Sequence, residues 1–199
     1  MEIIFIVAIL IMSVVIHEVS HGYAAALQGD PTARLEGRLT LNPLKHLDPI
    51  GSFLVPFITY QAGIMFGWAK PVPYNPYNLR NQRWGELVVA IVGPISNIVL
   101  ALVFGLLLRF SLDTLPLSTI TILQYVVFIN LGLAVFNMIP IPPLDGSKVL
   151  FAFLPFRYGE FRANLERYSI FILLIFIFFF SKYLIIPISI LFTLITGIA

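Results

Sequence analysis

Long apolar segments dominate this chain and limit what it can fold into. Stretches of about 20 residues, enough to cross the roughly 30 Å hydrocarbon core of a bilayer, occur at residues 3–27, 86–110, 120–140 and 168–199. Of the 199 residues, 59% are hydrophobic and 11% are charged, whereas soluble domains carry about 25% charged residues. The sequence therefore predicts a mainly α-helical, polytopic membrane protein with about four spanning helices.

A fifth apolar segment, residues 50–69, contains Pro56 and three glycines, so it could span the membrane, re-enter it or lie at its interface. Basic residues lie on both sides of it: Arg34, Arg38, Lys45, Lys70, Arg80 and Arg83. Because positive residues concentrate in cytoplasmic loops, we expect both flanks inside the cell and a segment that dips without crossing. The first helix then runs from outside to inside in the cell membrane.

The connection between the first two spans contains two extended candidates. Residues 33–41 alternate polar with apolar or small side chains, which is a strand period. Residues 68–74 contain Pro71 and Pro73, which restrict a strand to a sheet edge. We expect a small β element on the cytoplasmic side, which either binds extended substrate by strand addition or shields a site.

Titratable residues interrupt the first apolar segment in the string His17-Glu18-Val19-Ser20-His21. Such groups cost several kcal/mol at membrane depth and usually mark a function there. On a helix, residues i and i+4 share one face, so His17 and His21 can bind one metal ion, with Glu18 beside them. This is the ligand pair and general base of a zinc hydrolase. Because the chain has no cysteine, thiolate ligands are excluded.

A hydrolytic zinc site generally holds three protein ligands, so a further ligand must come from elsewhere. The candidates near predicted membrane helices are Glu2, Glu86, Asp113, Asp145 and His46. Asp145 is the best placed, since it follows a proline-interrupted helix end and precedes Gly146. His17 lies roughly 15 Å from the cytoplasmic end of its helix. Asp145 reaches that depth only if the helix before it also runs from outside to inside. This direction requires that residues 50–69 do not cross the membrane.

Three motifs together resemble the site-2 protease family of intramembrane zinc metalloproteases, in its compact form without added soluble domains. They are His17–His21, Gly93-Pro94-Ile95-Ser96-Asn97, and residues 137–146 ending in Pro-Pro-Leu-Asp-Gly. The resemblance implies one Zn²⁺ per chain, held by His17, His21 and Asp145. It also implies catalytic Glu18, Asn97 near the reacting carbonyl, and substrates cut in or near transmembrane helices. Where the family often has asparagine before Pro-x-Asp-Gly, this chain has Pro142.

The expected organisation is one membrane-embedded domain over residues 1–199, with a core at 3–156 and a C-terminal membrane region at 168–199. That last segment is too long for one ordinary span and too short for two, so we expect one long or broken helix. The expected partners are a transmembrane protein substrate and the lipid bilayer. A net charge of +2 gives no reason to expect nucleic acid, and the oligomeric state stays open.

Several alternatives stay open at this point. The chain could be a membrane metal-ion transporter, a catalytically silent zinc-binding protein, or a scaffold without metal. Asn97 could bond across to a neighbouring helix rather than act in catalysis. His46 could line an access route or make a structural bond in an interfacial loop.

Overall fold

The computed structural model describes residues 2–48, 51 and 69–198, and this part of the chain is mainly helical. The α-helices are α1 (Glu2–Leu27), α2 (Thr32–Leu35), α3 (Gln82–Ser111), α4 (Leu117–Asn137), α5 (Asp145–Phe153), α6 (Gly159–Arg167), α7 (Ser169–Phe179) and α8 (Ile185–Thr196). Single 3₁₀ turns occur at Pro43–Lys45, Pro76–Asn78, Phe156–Tyr158 and Ser181–Leu184. The predicted dip at residues 50–69 lies outside the described residues, apart from Gly51 and Ala69.

Helices α1, α3 and α4 are long and apolar enough to cross a membrane, as the sequence predicted for this multi-pass membrane protein. Helix α4 stops at Asn137 rather than at Pro140, because Pro140, Pro142 and Pro143 cannot continue an α-helix. The C-terminal segment is a broken helix, since α7 and α8 meet at an angle of 68°. The described residues therefore contain three candidate spans, or four if this bent pair counts as one.

Helix α3 is the centre of the bundle and packs against α1, α4, α5 and α8. Small residues are buried along its length: Gly85, Ala90, Gly93, Ala101 and Gly105. Small side chains let membrane helices approach closely. A buried apolar cluster joins α3 to α4 and α8 through Ala101, Val127, Leu131 and Ile188. Many large apolar side chains on the outer faces are exposed, as suits contact with lipid.

The expected β element is not found in the described part of the chain, and this expectation is corrected here. Residues 32–35 form the short helix α2, and the alternating pattern then breaks at Gly37, whose φ is +62°. Residues 69–74 run without regular secondary structure, and Pro71 and Pro73 remove two donors that a ladder would need. A short alternation of side chains was insufficient evidence for pairing.

Asp30 joins the C-terminal end of α1 to the loop before α3. Its side chain is fully buried and accepts hydrogen bonds from the backbone N–H and hydroxyl of Thr32, the N–H of Asn75 and the amide of Asn78. Burial opposes ionisation of this carboxyl, but these hydrogen bonds outweigh it and lower its pKa from the ordinary 3.8. Asp30 therefore fixes where the chain leaves and re-enters the bundle.

Arg38 holds the segment at residues 69–75, which we call the cover segment. The buried Arg38 guanidinium donates to the carbonyls of Lys45, Lys70 and Pro71. In addition, the Lys70 N–H donates to the His46 carbonyl at 2.8 Å. These bonds position the cover segment beside the C-terminal half of α1.

Replacing Asp30 with alanine should destabilise the protein by about 2 kcal/mol or more, because hydrogen bonds to a charged group contribute about 1.5–3 kcal/mol. Tryptophan fluorescence during thermal unfolding in detergent measures this loss, with D113A as the control because Asp113 is exposed. Because the pKa of Asp30 is below 3.8 in the folded protein, its contribution to stability is fully present above pH 3.8 and is lost as the pH falls through the folded-state pKa. The difference in Tm between wild type and D30A should thus stay constant from about pH 8 to about pH 5 and become smaller at lower pH. An equal Tm for D30A and D113A would contradict this account.

Candidate metal centre

Three buried side chains from two separate elements meet at one point. His17 and His21 lie one turn apart on α1, and Asp145 is the first residue of α5. The Oδ2 atom of Asp145 is 3.1 Å from His17 Nε2 and 3.2 Å from His21 Nε2. The two Nε2 atoms are 3.0 Å apart. Among the described residues, these three make the one cluster of histidines and carboxylates arranged to hold a metal ion.

The Nδ1 atom of His21 fixes the state of that ring. It lies 2.6 Å from the backbone carbonyl of Val89 on α3. Because a carbonyl can only accept a hydrogen bond, Nδ1 must carry the proton. The Nε2 atom of a neutral His21 then presents its lone pair to the cluster.

The ring of His17 is fixed by a chain of hydrogen bonds that begins at a backbone carbonyl. Asn130 Nδ2 donates to the Val126 carbonyl at 2.8 Å and to the Ser13 hydroxyl at 3.0 Å, so the Asn130 oxygen is left to accept. It accepts from Asn97 Nδ2 at 2.8 Å. The Asn97 oxygen consequently faces His17 Nδ1 at 2.7 Å and requires a proton there.

With both rings neutral, each directs an unprotonated Nε2 at the carboxylate oxygen, and no proton lies between any two of the three atoms. In that state three lone pairs about 3 Å apart repel one another, and a cation between them removes the repulsion. Zinc–ligand distances of about 2.0–2.1 Å at tetrahedral angles place ligand atoms about 3.3 Å apart, slightly more than the 3.0–3.2 Å found. The donor set and its spacing fit a zinc ion.

Gly93 lets α3 pack directly on the two imidazole rings. A Cβ atom built at this position would collide with the ring of His21 and lie 2.7 Å from His17 Cε1. The glycine of the Gly93–Asn97 motif thus has a steric role at the cluster. It places α3 close enough for Val89 and Asn97 to reach the histidines.

Asp145 is positioned by a tight turn between α4 and α5. As the first residue of α5 it lies at the positive end of the helix dipole, which favours a carboxylate. The next residue, Gly146, lies against the backbone of Met138 and Ile139, and a Cβ there would collide with both. Any larger residue at 146 would displace the carboxylate from the histidines.

Glu18 lies beside the cluster and faces a cavity. It is half-buried, and its Oε2 atom accepts a hydrogen bond of 2.9 Å from the N–H of Val72 in the cover segment. Ten residues line the cavity: His17, Glu18, His21, Pro71, Val72, Tyr74, Asn137, Pro143, Asp145 and Lys148. The cluster is therefore reached from the side of Glu18, between the cover segment and α5.

The predicted site residues do not all face this cavity. His17, His21, Asp145 and Glu18 line it, but Asn97 is fully buried behind His17 and is not among the lining residues. His46 is also buried, and its Nε2 donates to the Thr40 carbonyl at 2.8 Å, which favours the structural alternative. Asp113 is exposed in the turn after α3.

Sequence reasoning missed Asn130 and Lys148. A signal existed for Asn130, because a buried amide in an apolar span is costly unless it is bonded. Lys148 gave a weaker signal, since it follows Asp145 by three residues and shares its helix face only if α5 begins at that point.

A family profile and individual relatives both match this chain, and both belong to peptidases by their descriptions. A sequence profile described as peptidase family M50 matches residues 110–180, which include Asn130 and Asp145. The Bacillus subtilis protein named "Putative zinc metalloprotease YwhC" is 36% identical over 178 residues, which cover 86% of this chain and 78% of that protein.

More distant relatives are longer. "Putative zinc metalloprotease Rip2" of Mycolicibacterium smegmatis is 31% identical over 74% of this chain and 56% of its own length. "Zinc metalloprotease MJ0392" of Methanocaldococcus jannaschii is 26% identical over 78% of this chain and 36% of its own length. The chain thus spans about half the length of the mycobacterial relative. No solved structure matches it significantly.

Replacing Gly93 with alanine should weaken zinc binding by more than about 10-fold, because the added methyl group displaces both imidazole rings. Zinc affinity is measured by chelator competition followed by elemental analysis of the purified protein. The control is G132A, also a glycine-to-alanine change in a spanning helix, where the nearest atom would be Ile188 Cδ1 at an ordinary 3.9 Å. Equal zinc affinity in the two variants would contradict the close packing of α3 on the histidines.

Proposed function

Because this chain belongs to peptidase family M50 and is a zinc metallopeptidase, we propose that it hydrolyses peptide bonds in or near the transmembrane helices of other membrane proteins. In this proposal His17, His21 and Asp145 hold the zinc ion and Glu18 is the general base. The observation that carries it is the convergence of three possible ligand atoms beside Glu18, two of them on a helix that is apolar enough to span a membrane.

The zinc ion would act as a Lewis acid, lowering the pKa of water and polarising the carbonyl of the scissile bond. Glu18 then does the proton transfer. Its carboxylate takes a proton from the attacking water as the new C–O bond forms, and it returns that proton to the leaving nitrogen as the C–N bond breaks. The Val72 N–H, which donates to Glu18 Oε2 at 2.9 Å, orients the carboxylate beside the cluster.

Asn97 acts through His17 in this proposal. Its amide is fully engaged by His17, Asn130 and the Ser13 carbonyl, and it has no opening to the cavity. The expected position near the reacting carbonyl therefore has no support from its contacts. Its role is to orient the His17 ring and to keep Nδ1 protonated, as outer partners of metal-bound histidines do.

The membrane shapes what can enter the site. His17 lies ten residues before the end of α1, roughly 15 Å from the membrane surface, so the substrate bond must reach that depth. In a continuous helix the backbone carbonyls are already hydrogen-bonded, and part of the substrate must unwind before attack. Substrates with a helix-breaking residue near the cleaved bond should be favoured.

The site should open toward the cytoplasm of a cell-membrane protein. The connection between α1 and α3 carries Arg34, Arg38, Lys45, Lys70 and Arg80, and positive loops remain on the cytoplasmic side. The cover segment belongs to this connection and borders the cavity. Water would then reach Glu18 from inside the cell.

Glu18→Gln should bind zinc as well as wild type does and cleave at least about 100-fold more slowly, because the amide cannot take a proton. The assay uses purified single-pass segments in liposomes, one with a central Gly-Pro pair and one all-leucine segment. E36Q is the matched control, since Glu36 is exposed on the loop after α2. Undiminished cleavage by E18Q would reject the role of Glu18, and zinc uptake into liposomes without any cleavage would favour a transporter.

Asn97→Ala should lower zinc affinity by about 10- to 100-fold, the usual effect of removing an outer partner of a histidine ligand. N130A should have a smaller effect in the same direction, because it frees Asn97 to rotate. N164A serves as the control, since Asn164 is exposed on α6. If N97A kept wild-type zinc affinity but lost cleavage, Asn97 would act directly in catalysis.

A further inference from the structure

Lys148 is a cationic side chain in the cavity that the proposed mechanism leaves without a task. It lies three residues after Asp145 on α5, so both side chains are on the same face of that helix. It lines the cavity together with Glu18, His17 and Asp145. Among the described lining residues, Lys148 alone has a side chain that is always cationic near neutral pH.

The surroundings of Lys148 keep it charged. Its Nζ atom lies 5.0 Å from the centre of the Tyr74 ring, which belongs to the cover segment. Burial disfavours the ammonium, but Tyr74 and the negative charges of Asp145 and Glu18 outweigh this effect and raise the pKa of Lys148. A permanent positive charge is therefore held at the edge of a cavity whose other fixed side-chain charges are carboxylates.

The two amides near the cluster are poorer candidates for binding a developing negative charge. Asn97 is fully buried and bonded to His17 and Asn130. Asn137 lines the cavity, but it is uncharged and already donates one of its two Nδ2 hydrogens to the Leu133 carbonyl at 3.0 Å. By contrast, Lys148 contacts Tyr74 through the ring face and a side-chain hydrogen bond, and the carbonyl oxygen of a bound substrate can replace that partner.

We propose that the Lys148 ammonium binds the carbonyl oxygen of the scissile peptide bond and stabilises the negative charge that forms on it. The proposal rests on the proteolytic function proposed above and makes Lys148 a catalytic residue. When the water oxygen bonds to the carbonyl carbon, the C=O π electrons move to the carbonyl oxygen, and Lys148 donates a hydrogen bond to it without transferring its proton. When the C–N bond breaks, those electrons re-form C=O, and the nitrogen takes its proton from Glu18.

Lys148→Met removes the charge and retains most of the side-chain length. It should lower kcat about 100-fold, as loss of one oxyanion donor does, while KM and zinc content change by less than about threefold. The substrate is the Gly-Pro segment described above. K182M is the matched control, because Lys182 also lies by a tyrosine ring, 5.1 Å from that of Tyr183, but is exposed between α7 and α8. A kcat for K148M equal to that of K182M would overturn the proposal.

Because the chain contains no cysteine, K148C can be alkylated at that position alone. Bromoethylamine rebuilds a side chain of lysine length with a terminal ammonium, and bromopropane builds the same length without charge. Mass spectrometry verifies each product, and its Tm and zinc content verify the fold. The aminoethylated protein should recover at least about 10-fold in kcat, and the propylated protein should not. Equal recovery in both, or none in a folded, zinc-loaded aminoethylated protein, would overturn the role of the charge.

The two proposals fail differently. If wild type and E18Q treat the Gly-Pro segment alike, the proposed function fails and the role of Lys148 fails with it. If wild type cleaves that segment, E18Q does not, and K148M cleaves as fast as wild type, only the role of Lys148 is rejected.

Discussion

The hydrogen bond between Asn97 and the Nδ1 atom of His17 is the interaction on which the centre of this structure depends. It connects α3 to α1 at membrane depth, where an unbonded amide or imidazole is costly. Through Asn130 and the Val126 carbonyl it also draws in α4. The same bonds that satisfy these polar groups decide which nitrogen of His17 carries a proton. The hydrogen bonds that pack three candidate spanning helices together thus also orient the ring of a candidate metal ligand.

Much of this arrangement could be predicted from the sequence because the strongest signals are local. The spacing of His17 and His21 follows from the helix period, and the apolar segments identify α1, α3 and α4. Asp145 was a stronger candidate than the other acids because of the prolines before it and the depth that it had to reach. The structure brings it within 3.2 Å of both histidines.

What could not be predicted depends on contacts between distant residues. The bond from Asn97 to Asn130 joins residues 33 positions apart on two helices. The sequence of neither helix predicts how the two helices are rotated relative to each other. The same limit explains the expected β element. The alternation at residues 33–41 carried no information about a partner strand, and local helix formation at 32–35 with a left-handed Gly37 prevailed. Predicting that Lys148 lines the cavity would likewise have required knowing the exact residue at which α5 begins.

The hydrogen bonds that hold residues 70–72 of the cover segment share one property. Each of them uses a main-chain atom of the cover segment. Arg38 binds the carbonyls of Lys70 and Pro71, His46 accepts from the Lys70 N–H, and Glu18 accepts from the Val72 N–H. Such bonds fix the path of the backbone without specifying the side chains that it carries. Lys70, which is exposed, can therefore vary while the path is kept. The path of the backbone at the rim of the cavity is in this respect set independently of the exposed side chain next to it, so related chains can differ at residue 70 while Pro71 and Val72 keep their places beside Glu18.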